Sequence, residues 1–273
     1  MQDKESFFIN QFPNPHIGDD GAVIGDTVYS KDLFCEDIHF KREWMTLEQI
    51  AFKSMLVNIS DAIVMNAKPK FALIGIKIPF DFTPSQMEEL SSGFLRASRI
   101  YDFEIIGGDT IAGDKLDISI TLISKTDNPI FRKGIKNGDL IAHTGVLGSV
   151  KNDLEKLFKD KTVSKDSRFI TPLLRADFFY EAAPFIHAAL DISDSLGKDL
   201  SRLSETNKLG FEFFDDIEKD ILCSGEEYEI LFAFDPKDFD ILSKISDKNN
   251  TPFNIIAKAI RGSYKSRCPE NHF

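Results

Sequence analysis

Several scarcities narrow what this chain can do. It has three cysteines in 273 residues, Cys35, Cys223 and Cys268, odd in number, widely separated and at no zinc-like spacing. Such a set fits a reducing cytosol better than a disulfide framework. The five histidines, His16, His39, His143, His187 and His272, form neither an HExxH motif nor an evident ligand pair, which argues against a histidine-bound metal. No stretch approaches the roughly 18 apolar residues of a membrane span. The opening MQDKESFFINQF carries acids ahead of any apolar run, unlike a secretory leader. Positive charge is also short: 33 Lys and Arg face 44 Asp and Glu, a net charge of -11. That balance disfavours a nucleic-acid footprint and points to small molecules or proteins as partners, in the cytoplasm. There is no GxxxxGK[ST] loop, no GxGxxG at a strand-to-helix turn and no GxSxG elbow.

What is present reads as a mixed α/β protein. With 42% apolar residues the chain can build a sizeable core, in one large or two ordinary domains. Apolar spacing predicts a strand over 26–34, a helix over 46–66 with Thr46 as its cap, and a strand over 71–80 interrupted by a turn. A second helix is expected over 83–101, with a Thr cap and Pro84 at its first position. FEIIGG and LDISITLIS read as two strands joined by a loop carrying GGDT (107–110). The turn-rich, basic segment 128–139 is the expected domain boundary. Beyond it come a strand at LIAHTG, a glycine turn at TGVLGS, and a lysine-rich surface helix and loop over 151–168. A helix is expected over 172–189, kinked at Pro184. Then follow a short strand, a turn and a helix closing at Gly210, a strand at YEILFAF, a helix over 236–246 and a last strand at FNIIAKAI.

Aspartates recur where apolar runs meet small residues: Asp19 and Asp20, Asp32, Asp61, Asp109, and Asp191 with Asp194. Each alone reads as a turn or helix-cap residue. So many carboxylates beside buried surface need a partner, and a hard divalent cation supplies one. All-oxygen ligands without histidine favour magnesium over zinc, and no segment matches a calcium-binding DxDxDG loop. Gly107 and Gly108, Gly145 and Gly148 would let backbone amides approach an anion, and Arg132 and Lys133 add positive charge. Phosphoryl transfer needs mainly alignment and charge cancellation, which such a set can provide without a covalent nucleophile. Cys35 near His39 is better read as a small buried thiol, and Trp44 as a packing anchor.

In one order along the chain stand GDDGAV (18–23), KDLFCEDIHF (31–40), KSMLVNISDAIVMNAKP (53–69), GGDT, FRKGIKNGD with TGVLGS (131–149), DISDSLGKDL (191–200) and GEEYEILF (225–232). Together they resemble the thiamine-monophosphate kinase family, within the broader aminoimidazole-ribonucleotide-synthetase-like group of ATP-using enzymes. The resemblance implies a two-domain fold of that group. Residues 1–130 would form a metal- and nucleotide-binding domain whose sheet pairs in a homodimer, and 131–273 an α/β domain closing the cleft. It implies transfer of the terminal phosphoryl group of ATP to thiamine monophosphate, with magnesium and with help from potassium. Matched residue by residue, Asp20, Asp32, Asp61, Asp109 and Asp194 fall on metal-binding carboxylates, with Asp19 and Asp191 in support. Glu36, His39 and Phe40 fall on the segment meeting the thiamine phosphate. Gly108, Asp109 and Arg132, joined by Ser193, fall on the nucleotide-phosphate site. Asp109, Asp194 and Arg132 are the catalytic candidates; no general base is expected, because the acceptor phosphate is already anionic.

This chain departs from the family pattern at named places. Asp37 and Asn66 replace glycines, Ser195 replaces the glycine of an SDG turn, Glu227 replaces Asp in GEDYEL, and CPENHF (268–273) replaces an ending of GWxHF type. Ser195 and Asn66 are expected to strain turns that glycine relaxes. The alternatives are another ATP-using synthetase of the same group, or a noncatalytic nucleotide-binding homologue. The absence of cysteine from the first twenty residues disfavours a selenophosphate synthetase.

Overall fold

The computed structural model describes residues 4–269. Most of the CPENHF ending, 270–273, and residues 1–3 of the opening segment lie outside the described residues. The first half runs α1 (Lys4–Ile9), β1 (Ala22–Ile24), β2 (Thr27–Cys35), α2 (Leu47–Val64), β3 (Lys68–Pro79), α3 (Pro84–Tyr101), β4 (Glu104–Gly113) and β5 (Asp117–Lys125). The second runs β6 (Leu140–Thr144), α4 (Ser149–Leu157), α5 (Ala176–Ala182), β7 (Ile186–Asp191), α6 (Leu196–Asn207) and β8 (Leu209–Phe213). It ends with α7 (Lys219–Leu222), β9 (Ile230–Phe234), α8 (Phe239–Lys248) and β10 (Phe253–Arg261). Each half contributes one five-stranded sheet, in the orders β1-β2-β5-β3-β4 and β7-β9-β6-β10-β8. Among the described residues no helix is long and apolar enough to cross a membrane.

Helix α2 holds the two halves together. A reciprocal capping box between Thr46 and Gln49 starts it. Its side chains are buried on nearly every face, Ile50, Phe52, Met55, Ile59 and Ile63 among them. An all-round apolar helix belongs between layers, and α2 packs against β2 and β5 on one side and β7 and α5 on the other. The polar Asn58 is tied in from both ends, accepting from Ser30 Oγ at 2.5 Å and donating to Ile120 O at 3.0 Å. Helix α3 lies close against α2 at Gly93, where any Cβ would collide with Glu48 O.

Among the described residues no helix is packed across the opposite face of the first sheet. Register puts Tyr29, Ile123 and Phe71 in one row across it, Lys31, Thr121 and Leu73 in the next, and Leu33, Ser119, Gly75 and Asp109 in a third. Tyr29, Leu33, Phe71 and Leu73 are exposed there.

Several expectations change. β3 is continuous from Lys68 to Pro79, with a register shift between Pro69 and Phe71 instead of a turn. GGDT is strand rather than loop: β4 runs through it, paired in parallel to β3. Gly108 is required there because a Cβ would strike Ile74 O, so the glycine lets two strands approach. The expected helix over 172–189 shrinks to α5, because Pro184 falls in a 3-10 turn and IHAALD pairs with β9 as a strand. A short apolar run does not distinguish a buried helix from a buried strand until its partner is known. α6 ends at Asn207 with Lys208 in the left-handed conformation, and Gly210 belongs to β8. α8 starts at Phe239, after a 3-10 turn over Pro236–Asp238.

Two cysteines are bonded, against the reading from their number and spacing. Cys223 and Cys268 form a disulfide with Cα atoms 5.4 Å apart, and Cys35 is free. The pairing was hidden because β10 must first return the chain across α6, where Tyr264 N donates to Ser204 Oγ and Ser266 N to Ser201 Oγ. Closing a 45-residue separation restricts the unfolded chain, an effect typically worth about 2 to 4 kcal/mol. Reduction, or Cys223→Ser, is therefore expected to lower the unfolding free energy by about that amount in a denaturant titration. An identical midpoint with and without reductant would contradict the bond.

Candidate active site

The carboxylates converge from four separate segments. Asp19 and Asp20 follow the Gly18 loop, Asp32 lies on β2, Asp61 on α2, and Asp191 closes β7. They line one cavity of about 700 Å³ between the two halves. Asp20, Asp61 and Asp191 each offer an oxygen within 4.8 Å of the others. Arg132, from the segment between the sheets, grips Asp20 through Nη2 at 2.6 Å and Nε at 3.2 Å. Its backbone N–H donates to Asp19 Oδ1 at 2.6 Å. Ser60 Oγ donates to Asp191 Oδ2 at 2.7 Å. Asp32 Oδ2 is buried and has no hydrogen-bond partner among the described residues.

Crowding shows in the proton affinities. Burial pushes Asp32 up to about 6, with the Asp20 charge adding to the rise and a contact to Asp61 opposing it. Asp61 is raised well above the carboxylate range by burial and then by Asp32, Asp191 and Asp20. Asp191 is raised by burial and by Asp20, against the Ser60 hydrogen bond. Burial disfavours the Arg132 guanidinium, but the Asp20 carboxylate outweighs it and holds the charge in place. A hard cation relieves such a set. The orphaned Asp32 oxygen and the three mutually close carboxylates fit magnesium.

At the mouth, Ser193 and Asp194 sit in the turn between β7 and α6, and Arg202 pairs with Asp194 and with Asp199. A second cavity, of about 590 Å³, is lined by Phe40, Trp44, Phe158 and Phe169. His39, Ser193 and Glu226 line both cavities, so the two meet there. His39 Nδ1 accepts from Cys35 N at 3.1 Å, and Phe40 stacks on Phe34.

The structure thus brings together Asp19, Asp20, Asp32, Asp61, Asp191, Ser193, Asp194, Arg132 and His39 at one cavity, with Phe40 beside it. It leaves three candidates outside. Glu36 lines neither cavity and instead braces the local loop, accepting from Arg42 Nε at 2.7 Å and Leu116 N at 2.8 Å. Gly108 and Asp109 lie on edge strand β4 away from the cluster. Sequence reasoning missed Glu226, Tyr228 and Arg202 as cavity residues; GEEYEI drew notice only for its Glu227.

The departures resolve locally. Asp37 and Asn66 have φ of 67° and 53°, the left-handed region that Asp and Asn tolerate better than most. Ser195 is extended, with φ 168° and ψ 155°, so the expected strain is absent; its hydroxyl instead caps α6 by accepting from Lys198 N. Glu227 takes hydrogen bonds from Gly148 N at 2.7 Å and Ser224 Oγ at 2.5 Å, fixing the TGVLGS turn.

Residues 18–126 match the family described as AIR synthase related protein, N-terminal domain. The structure of AaThiL complexed with AMPPCP and TMP superposes with a TM-score of 0.88, at 24% identity, covering 100% of this chain and 99% of that one. Fold and matched region together define a two-domain protein of the AIR-synthase-like class. The thiamine-monophosphate kinase of Buchnera aphidicola subsp. Schizaphis graminum is 30% identical over 272 residues, 89% of this chain and 80% of the relative. That of Aquifex aeolicus is 28% identical over 245 residues, 80% of each. The chain belongs to the thiamine-monophosphate kinase family.

The raised carboxylates set a pH dependence with a definite sign. In metal-free protein, the folded state keeps a proton on Asp32 up to about 6, whereas the unfolded chain releases it near 3.8. This contribution to stability is complete below the unfolded value and is lost as pH rises through the folded one. The difference in thermal midpoint between wild type and Asp32→Asn in chelator is expected to shift against the wild type across that window, and added magnesium should shrink the shift. A difference constant with pH would contradict the arrangement.

Proposed function

We propose that the protein transfers the terminal phosphoryl group of ATP to the phosphate of thiamine monophosphate, giving thiamine diphosphate and ADP by direct in-line displacement. The observation that carries this reading is the junction of a carboxylate cavity with an aromatic one, in a chain of the thiamine-monophosphate kinase family. Flat aromatic walls suit a ring system, and Trp44 and Phe158 meet edge to face at 88° along one side of it. The polyphosphate belongs on the acidic side, where Asp20, Asp32, Asp61 and Asp191 would hold magnesium. When bound, that ion neutralises phosphate charge and aligns the transferring group.

The protein residues do the rest by position. Arg132, anchored through its backbone on Asp19, presents a planar cation suited to phosphate oxygens. Ser193 borders the passage between the cavities, Asp194 lines the acidic cavity next to it, and Arg202 pairs with the Asp194 carboxylate. His39 and Phe40 form the acceptor side, while Glu36 secures their loop. The acceptor oxygen is anionic near neutral pH, so no side chain need remove a proton.

Asp109 calls for a second copy. It lies three strands from Asp32, about 14 Å at ordinary strand spacing. Register also puts it on the opposite, open face of the sheet. The exposed Tyr29, Leu33, Phe71 and Leu73 on that face support a homodimer in which Asp109 serves the site of the other copy. In this reading residues 1–130 bind metal and nucleotide and dimerise, and 131–273 close the cleft. The enzyme works in the cytoplasm beside its ATP, where thiol pools can open the Cys223–Cys268 bond.

Purified protein given ATP, magnesium and thiamine monophosphate is expected to form thiamine diphosphate, and chelator to abolish it. No product and no binding of thiamine monophosphate would overturn the reaction. Asp61→Asn and Asp109→Asn should each be nearly inactive. Equal mixing with subunit exchange should restore about a quarter of wild-type activity, since about half the dimers are mixed and each has one intact site. No recovery on mixing would contradict the role of Asp109 across the dimer.

A further inference from the structure

Lys53 is a fully buried cation on α2, and its Nζ donates to Glu226 Oε2 at 2.6 Å. The bond crosses from the first half of the fold to the second. The same ammonium lies 3.8 Å from the centroid of the Phe169 ring and 5.7 Å from that of Phe34. Burial works against its charge, and Glu226 sustains it. Lys53 itself lines neither cavity, whereas Glu226, with 19% of its side chain exposed, lines both.

The backbone around Glu226 is unusual. Glu226 and Tyr228 have φ of 55° and 51°, a region that such residues occupy only where their surroundings hold them. Glu226 N donates to Ser193 O at 2.7 Å and Tyr228 N to Ile192 O at 2.9 Å. Between them, Glu227 is fastened to Gly148 N and Ser224 Oγ. The loop is thus pinned by its backbone on one side and by Lys53 at the Glu226 carboxylate.

We infer that Lys53 is a positioning residue for the phosphorylated acceptor: it fixes Glu226 at the junction of the two cavities and cancels its charge, so that an anionic acceptor phosphate can pass it. Without Lys53, the Glu226 carboxylate would stand uncompensated at the junction of the two cavities, repelling a phosphate there. The nucleotide, held through the carboxylate cluster, would feel this much less. The inference rests on the proposed reaction.

The test compares the acceptor KM with the ATP KM in purified full-length protein. Lys53→Met is expected to raise the KM for thiamine monophosphate by about ten-fold or more while the ATP KM stays within about two-fold. Adding Glu226→Gln removes the uncompensated charge. The double variant should recover part of that loss yet keep an acceptor KM at least about three-fold above wild type, because the junction is no longer fixed. If Lys53→Met alone does not fold, the double variant, which has no unpaired buried charge, carries the test. A wild-type acceptor KM in the double variant, or parallel changes in both KM values, would overturn the inference. Wild-type protein that makes no thiamine diphosphate defeats the reaction itself, whereas an active wild type with an unshifted variant defeats only the role of Lys53.

Discussion

Like charge gathered in one place governs this molecule. Asp20, Asp32, Asp61 and Asp191 come from a loop, two strands and a helix, and their side chains are largely buried where they meet. Their mutual repulsion opposes folding, and the structure meets it with the Arg132 pair, the Ser60 hydrogen bond and retained protons. What keeps the carboxylates together is apolar packing around α2, whose side chains are shared by the cores of both halves. Burial of that helix is favourable at about 25 cal/mol per Å² of apolar surface, and it offsets a polar arrangement that no structural need requires. Such strain marks a functional site.

The same helix explains why the two halves act as one site. Asp61 turns toward the acidic cavity, Lys53 toward the loop of Glu226, and Asn58 toward β2 and β5. One buried element thereby positions groups for both domains. The aromatic cavity is assembled likewise, Phe40 and Trp44 coming from the first half and Phe158 and Phe169 from the second.

Much of this was legible in the residues alone. Both long helices, with Thr46 and Thr83 as caps and Pro84 at the first turn, follow from local capping chemistry that needs no tertiary partner. The order of the aspartate blocks carried the family and most of the cavity. Three things were not legible, each because it depends on residues distant in sequence. IHAALD becomes strand only beside β9. GGDT becomes strand because β3 accepts it in parallel, which moves Asp109 to the far face from Asp32. Cys223 finds Cys268 only after β10 has carried the chain back. Ser195 shows the reverse case, where a residue expected to strain a turn instead supplies a helix cap.

In the proposed reaction the carboxylate cluster gives up protons to take a divalent cation. Calorimetric titration of magnesium into the protein, repeated in buffers of different ionisation enthalpy, counts the protons released on binding. Release near pH 6 that declines as pH rises, and that is lost with most of the affinity in Asp61→Asn, is the predicted result. Binding without proton release, equally tight in wild type and Asp61→Asn, would contradict it.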